Sequence, residues 1–150
     1  MKKLQILIIA FLIALSICAL ASMQAKAQGT VDKFGFNAVS SPQTAGTSFS
    51  VTITALDSLG DAVTSYTGTP FLSDLSGTIS PTSSLAFVGG VWIGSVTVTS
   101  AGPDSITATD GAITGTSNMF TVNPTINASA GANGTISPTG SVAVNYGARA

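Results

Sequence analysis

The 150-residue sequence contains no histidine and no glutamate, a single cysteine, and only 7% charged residues. Its few cations are unevenly placed. Lys2, Lys3 and Lys26 fall in the first 27 positions together with Cys18, which leaves Lys33 and Arg149 downstream. Residues 28–150 therefore set two cations against six aspartates, a net charge of −4. Each absence removes a class of chemistry. Ser/His/Asp and Cys/His nucleophile systems, His- or Cys-ligated zinc and haem sites, and phosphate-binding Lys loops all lack an obligatory residue. A nucleic-acid binder needs a basic face, which two cations cannot make. A glycosidase needs two carboxylates flanking its substrate, one with a raised pKa. Here every Asp stands at or near a turn signal, so no catalytic residue is expected and the chain reads as a non-enzyme.

The opening segment has the order of an export signal. Met1-Lys2-Lys3 is followed by an apolar run from Leu4 to Leu20, and a polar stretch closes on Ala25-Lys26-Ala27, a small-x-small cleavage site. Residues 1–27 are therefore expected to be a helical signal peptide, with Cys18 a hydrophobic member of it. The 17-residue run also meets the lower bound of a membrane span, so an uncleaved anchor is the rival reading. Contact with a membrane is expected only through this signal, and the protein is expected to be secreted or at the cell surface.

All 16 glycines and all six prolines lie after residue 27, and Ser plus Thr supply 38 of the 123 residues that follow. Polar composition of that kind suits disorder only where β-branched and aromatic residues are scarce, and here they recur in alternation. Phe49, Val51, Ile53 and Ala55 share one parity, with Ser50, Thr52 and Thr54 on the other. Trp92, Gly94, Val96 and Val98 repeat the pattern, as do Ile106 with Ala108 and Phe120 with Val122. Period-two alternation is the mark of a half-buried strand. Asp57-Ser58-Leu59-Gly60-Asp61, Ser80-Pro81, Gly89-Gly90, Gly102-Pro103-Asp104 and Asp110-Gly111 separate the runs with turn chemistry. The expectation is an all-β sandwich of about seven strands over residues 28–122. Its predicted core is Phe49, Val51, Ile53, Trp92, Val96, Val98, Ile106 and Phe120. Gly35 and Gly94, inside strand patterns, mark bulges or close backbone approach.

Asn123-Pro124-Thr125 reads as a linker, because Pro cannot continue a ladder. Residues 126–150 read as the start of a second, incomplete β module with strands over Ile126–Ala130 and Ser141–Tyr146. So short a stretch cannot bury a core of its own, and the chain reads as a fragment of a longer polypeptide. The segment Gly77-Thr78-Ile79-Ser80-Pro81-Thr82 recurs identically at 134–139, which we read as reuse of one strand–turn–strand device.

Phe34-Gly-Phe36, Ser41-Pro42-Gln43-Thr44-Ala45-Gly46, the Phe49–Ala55 strand, Tyr66-Thr67-Gly68, Ile106-Thr107-Ala108 before Asp110-Gly111, and Phe120-Thr121-Val122 together resemble immunoglobulin-like modules of bacterial and archaeal surface proteins. The likeness covers about residues 31–122. Gly134-Thr-Ile-Ser-Pro138 and Val144-Asn-Tyr-Gly147, within residues 126–150, resemble the small β repeats related to internalin B-type repeats. Both resemblances imply spacer, adhesion or binding modules in long multi-repeat chains, with neighbouring repeats as partners and a cell-surface glycan or protein as a further partner. Such modules often place a Tyr before the strand matching Ile106–Ala108, in a corner role; Asp104 and Ser105 stand there instead.

The remaining chemistry is slight. No cofactor is expected beyond calcium, for which Asp57, Asp61, Asp104 and Asp110, all at turns, are the candidate ligands. Turn capping explains the same four positions. Trp92, Tyr66 and Tyr146 are the candidates for stacking on sugar rings, although the parity of Trp92 favours the core. The functional expectation is an exported structural or adhesion module. The alternative is a carbohydrate-binding accessory module of a secreted hydrolase whose catalytic domain lies elsewhere.

Overall fold

The computed structural model describes residues 29–147; the expected signal peptide with Cys18, and Arg149, lie outside the described residues. Within them the chain is all-β, and none of its segments is a helix long and apolar enough to cross a membrane. Two layers form a β-sandwich. In the first, β1 (Lys33–Phe36), β3 (Phe49–Leu56) and β5 (Val91–Val96) pair antiparallel in the order β1-β3-β5. The alternation read from the sequence sets its facing. Val51, Ile53 and Ala55 are at most 2% exposed, while Ser50 on the other parity is exposed. Trp92 and Val96 of β5 turn inward on the same rule, and Ile93 and Ser95 turn outward.

The second layer joins two three-stranded sheets. One holds β4 (Phe71–Asp74), β7 (Ile106–Asp110) and β8 (Ile113–Thr116); the other holds β2 (Gln43–Thr44), β9 (Phe120–Asn123) and β6 (Gly102–Asp104). Only Ser105 separates β6 from β7, and only 117–119 separate β8 from β9. At the join, Ile106 N–H donates to Ser117 Oγ at 2.9 Å and Ser117 N–H donates to the Ile106 carbonyl at 2.8 Å. Taken as two long interrupted strands, they bring the sandwich to seven. The register changes across the join, since Thr107 faces Thr116 but Asp104 faces Phe120. Asn118 and Met119 thus oppose Ser105 alone. Two residues against one is a β-bulge, which bends the strand and re-aims a side chain.

Between the layers, Val51, Ile53, Trp92 and Val96 meet Leu72, Ile106, Ala108, Phe120 and Val122 in one hydrophobic cluster. Burying an aliphatic side chain of this size contributes about 1.5–3 kcal/mol. Phe49 is half-buried at the rim of that cluster, edge-on to Phe120 with centroids 5.6 Å apart. Gly94 is not at a bulge: it pairs directly with Val51, and the Trp92 indole lies over it where a Cβ would stand. Gly115 on β8 has no room for a Cβ against the backbone and Cβ of Phe34 on β1, so glycine lets the two layers close at that corner.

Asn123 closes β9, and after Pro124 the chain enters β10 (Thr125–Ala128), which pairs antiparallel with β11 (Gly140–Ala143). Both strands are shorter than their alternation suggested. After Ala143 the chain leaves the ladder, because Val144 N–H donates to the Pro124 carbonyl and Tyr146 N–H to Asn123 Oδ1, at 2.9 and 3.0 Å.

Candidate functional site

The four calcium candidates do not converge. Asp57, 5% exposed, directly follows β3, and its Oδ1 accepts the amides of Leu59 and Asp61 at 3.0 and 2.9 Å. That is a side chain closing its own turn, with Gly60 supplying the positive φ of 86°. Asp61 lies in the same turn. Asp110 ends β7, where its Oδ2 accepts the Tyr66 hydroxyl at 2.6 Å. Asp104, on β6, is 1% exposed and lies instead beside Asp74 at the end of β4. Among the described residues no three Asp, Cys, His or Glu side chains form a metal-sized group.

The Asp74–Asp104 pair is the densest polar cluster of the sandwich, and Asp74 is the member that sequence reasoning missed. Asp104 Oδ1 accepts the amides of Leu75 at 2.9 Å and Ser105 at 2.7 Å, while its Oδ2 is buried and meets no donor apart from the neighbouring Asp74 carboxyl. Asp74 Oδ1 accepts the Ile79 amide at 3.1 Å, and its Oδ2 accepts the Ser76 hydroxyl at 2.6 Å. Burial pushes the Asp74 carboxyl up. Hydrogen bonds from the Ser76 hydroxyl, the Ile79 amide, the Asp104 carboxyl and the Thr78 amide outweigh that and hold it below its ordinary value. Gly77, at φ 72°, lets the chain double back so that Thr78 Oγ1 accepts the amides of Thr99 and Ser100 at 3.1 and 3.2 Å. The signal available in the sequence was Asp74-Leu-Ser-Gly-Thr78, a carboxylate and two hydroxyls around a glycine.

The three aromatic candidates are scattered. Trp92 is 6% exposed, in the core. Tyr66 packs edge-on to Phe87 at 5.1 Å and tilted against Phe34 at 5.6 Å, with its hydroxyl held by Asp110. Burial, then that hydrogen bond and the charge of Asp110, raise the Tyr66 phenol well above its usual range. Tyr146 is 51% exposed, its ring over Gly102. Next to Trp92, an apolar groove of about 320 Å³ runs along the β5 edge, lined by Leu85, Ala86, Val88, Val91 and Ile93.

Sequence reasoning also missed Asn118. Re-aimed by the bulge, its Oδ1 accepts the Val39 amide at 2.7 Å and its Nδ2 donates to the Val39 carbonyl at 2.9 Å. A side-chain amide here completes a ladder rung with the segment that crosses from β1 in one layer to β2 in the other. Thr121 N–H donates to Ser41 Oγ at 3.0 Å and Ala45 N–H to the Asn123 carbonyl at 2.9 Å, while β2 itself pairs parallel with β9. The last strand of the sandwich is thereby sewn to β2 and to the segment that leads into it.

The fold and this polar network define the class: an all-β sandwich whose buried polar side chains bind chiefly its own backbone. No protein-family model matches the chain, and no curated protein does. Among solved structures, the crystal structure of domains 4 and 5 of the S-layer protein SbsC is similar at 15% identity with a TM-score of 0.45, covering 65% of this chain. The match spans 54% of that chain, about half its length.

Proposed function

We propose that residues 28–122 are an immunoglobulin-like, non-catalytic structural module of a larger exported protein, secreted or at the cell surface. Residues 123–125 act as its linker and 126–150 open a second β module of the same multi-repeat chain. The work is mechanical: spacing a functional or adhesive region away from the cell.

The seam between β2 and β9 carries this reading. β2 runs parallel to β9 with Gln43 beside Val122 and Thr44 beside Asn123. Tension that draws the N-terminal end one way and the C-terminal end the other slides two parallel neighbours past each other. The hydrogen bonds of the seam, those of Asn118, Ser41 and Ala45 included, then resist together rather than one after another. The two layers of Thr- and Ser-bearing strands suit the same role, since they keep the faces wettable with little charge.

Single-molecule stretching of residues 28–150 tests the reading. Asn118→Ala should lower the unfolding force clearly while the fold, read by circular dichroism, persists. An unchanged force would remove the seam as the element that resists tension. Labelling of intact cells by an impermeant reagent checks the location: a chain that stays protected in intact cells but reacts after lysis contradicts export.

A further inference from the structure

We propose that Asp74 and Asp104, with the hydroxyl of Ser76, form a binding site for a hard divalent cation, calcium being the one that fits. The geometry starts from Asp104. Its side chain is 1% exposed, one oxygen is satisfied by two amides, and the other, Oδ2, is buried with no donor outside the carboxylate pair. A buried polar atom left unpaired is costly, more so when it carries charge. The neighbouring Asp74 carboxyl lies within hydrogen-bonding reach and adds a second negative group. Among the described residues no cation answers them: Lys33, on β1 of the other layer, is the only basic residue between positions 29 and 147. Two adjacent carboxylates with an orphaned oxygen call for a positive partner, either a shared proton or a metal ion.

The surroundings favour the ion. Ser76 Oγ and Thr78 Oγ1 lie 2.9 Å apart, and Ser76 Oγ is 2.6 Å from Asp74 Oδ2. Asp104 Oδ2, the Asp74 carboxylate and the Ser76 hydroxyl make an all-oxygen set, which suits calcium, with water completing the six to eight ligands it takes. The Ser76 proton that now points at Asp74 turns outward when its oxygen faces the ion, while Thr78 Oγ1, both lone pairs taken by the Thr99 and Ser100 amides, buttresses the turn instead. Ser76 and Gly77 are exposed, which gives the ion a way in from solvent. The amides already anchored on Asp104 Oδ1 and Asp74 Oδ1 hold both carboxylates in place before it arrives. Bound there, the ion ties the β4 turn to β6. Two carboxylates and a solvent-open turn place its Kd on the order of 10⁻⁴–10⁻³ M, the range of extracellular modules.

Thermal melts of residues 28–150 at pH 7, in chelator and in excess calcium chloride, test the site. Because an ion that binds only the folded state raises the midpoint, a rise of roughly 5–15 °C is expected at a hundredfold excess over Kd. Asp104→Asn keeps the oxygen that accepts the two amides and replaces Oδ2, so it should abolish the rise. Asp74→Asn should do the same, and serves alone if Asp104→Asn does not fold. Asp110→Asn, at a carboxylate elsewhere, should leave the rise intact. A wild-type midpoint indifferent to calcium, with Asp104→Asn more stable than wild type in chelator, means a shared proton and overturns the proposal. A calcium-dependent rise that survives Asp104→Asn and Asp74→Asn, or that disappears in Asp110→Asn, overturns it as well. A calcium effect leaves the mechanical reading untouched, because that reading rests on Asn118 and the β2–β9 seam.

Discussion

Single side chains here do work that usually falls to a backbone. Asn118 offers both halves of an amide to Val39, 79 residues away, and mimics a strand partner where the bulge has broken the ladder. Asn118→Ala leaves the Val39 amide and carbonyl unpaired, and chemical denaturation should show a loss of about 1–3 kcal/mol. A loss below about 0.5 kcal/mol, the level of an ordinary surface substitution, would mean that water replaces the rung. Gly115→Ala sets a methyl against the Phe34 backbone, which cannot rotate away. Overpacking of that kind costs about 1–3 kcal/mol, and a neutral result in the same assay would contradict the close approach of β8 to β1. Tyr66 gives a pH signature. Because its folded-state pKa is raised, its contribution is complete below the unfolded value of about 10 and is lost as pH rises through the folded value. Melting midpoints should therefore fall above about pH 10, and fall less in Tyr66→Phe. Equal slopes for the two proteins would contradict the Tyr66–Asp110 bond.

At the level of elements, what could be read in advance was what alternation encodes. Parity alone placed Val51, Ile53, Trp92 and Val96 on the inner face, because a side-chain period of two leaves a half-buried strand only one good register. Val51→Asp buries an unpaired charge at a 2% exposed position and should abolish the cooperative melt. A melt unchanged by it would reverse the assigned facing of β3. Turn residues were equally legible, since Gly60, Gly89, Gly90 and Gly111 all adopt positive φ at the breaks they marked. The bulge at Asn118–Met119 was not. Ser117-Asn118-Met119 carries no turn signal of its own, and the residue that rewards the bulge, Val39, sits at the other end of the module. Asp74 escaped for a related reason. It ends a strand rather than marking a turn dipeptide, and the carboxylate that gives it meaning is on β6, 30 residues further on. Local chemistry is written locally; pairings across the sandwich depend on which layers come to face each other. The aromatic candidates show the same limit. Tyr66 and Trp92 have the right chemistry for stacking, but one is held by Asp110 and the other is enclosed between the layers.

For the whole molecule, the meaningful feature is where the ends lie. The chain enters along β1 in the first layer, crosses to β2 in the second and leaves along β9, the parallel neighbour of β2. Beyond them, the pair β10–β11 is too small to be stable alone. It leans on the sandwich through Asn123, whose side chain meets both Asn145 and Tyr146. Force passing along the polypeptide therefore loads the β1–β3 ladder from one side and the β2–β9 seam from the other. The most direct measurement compares two directions of pull on the same folded chain. Handles placed at residues 38 and 124 shear β2 against β9, whereas handles placed at residues 101 and 124 unzip β9 from its antiparallel neighbour β6 one pair at a time. Unfolding through residues 38 and 124 is expected to need the clearly higher force, falling toward the unzipping value when Asn118 is replaced by alanine. Equal forces in the two directions, or a weaker response through residues 38 and 124, would contradict a module built to carry tension.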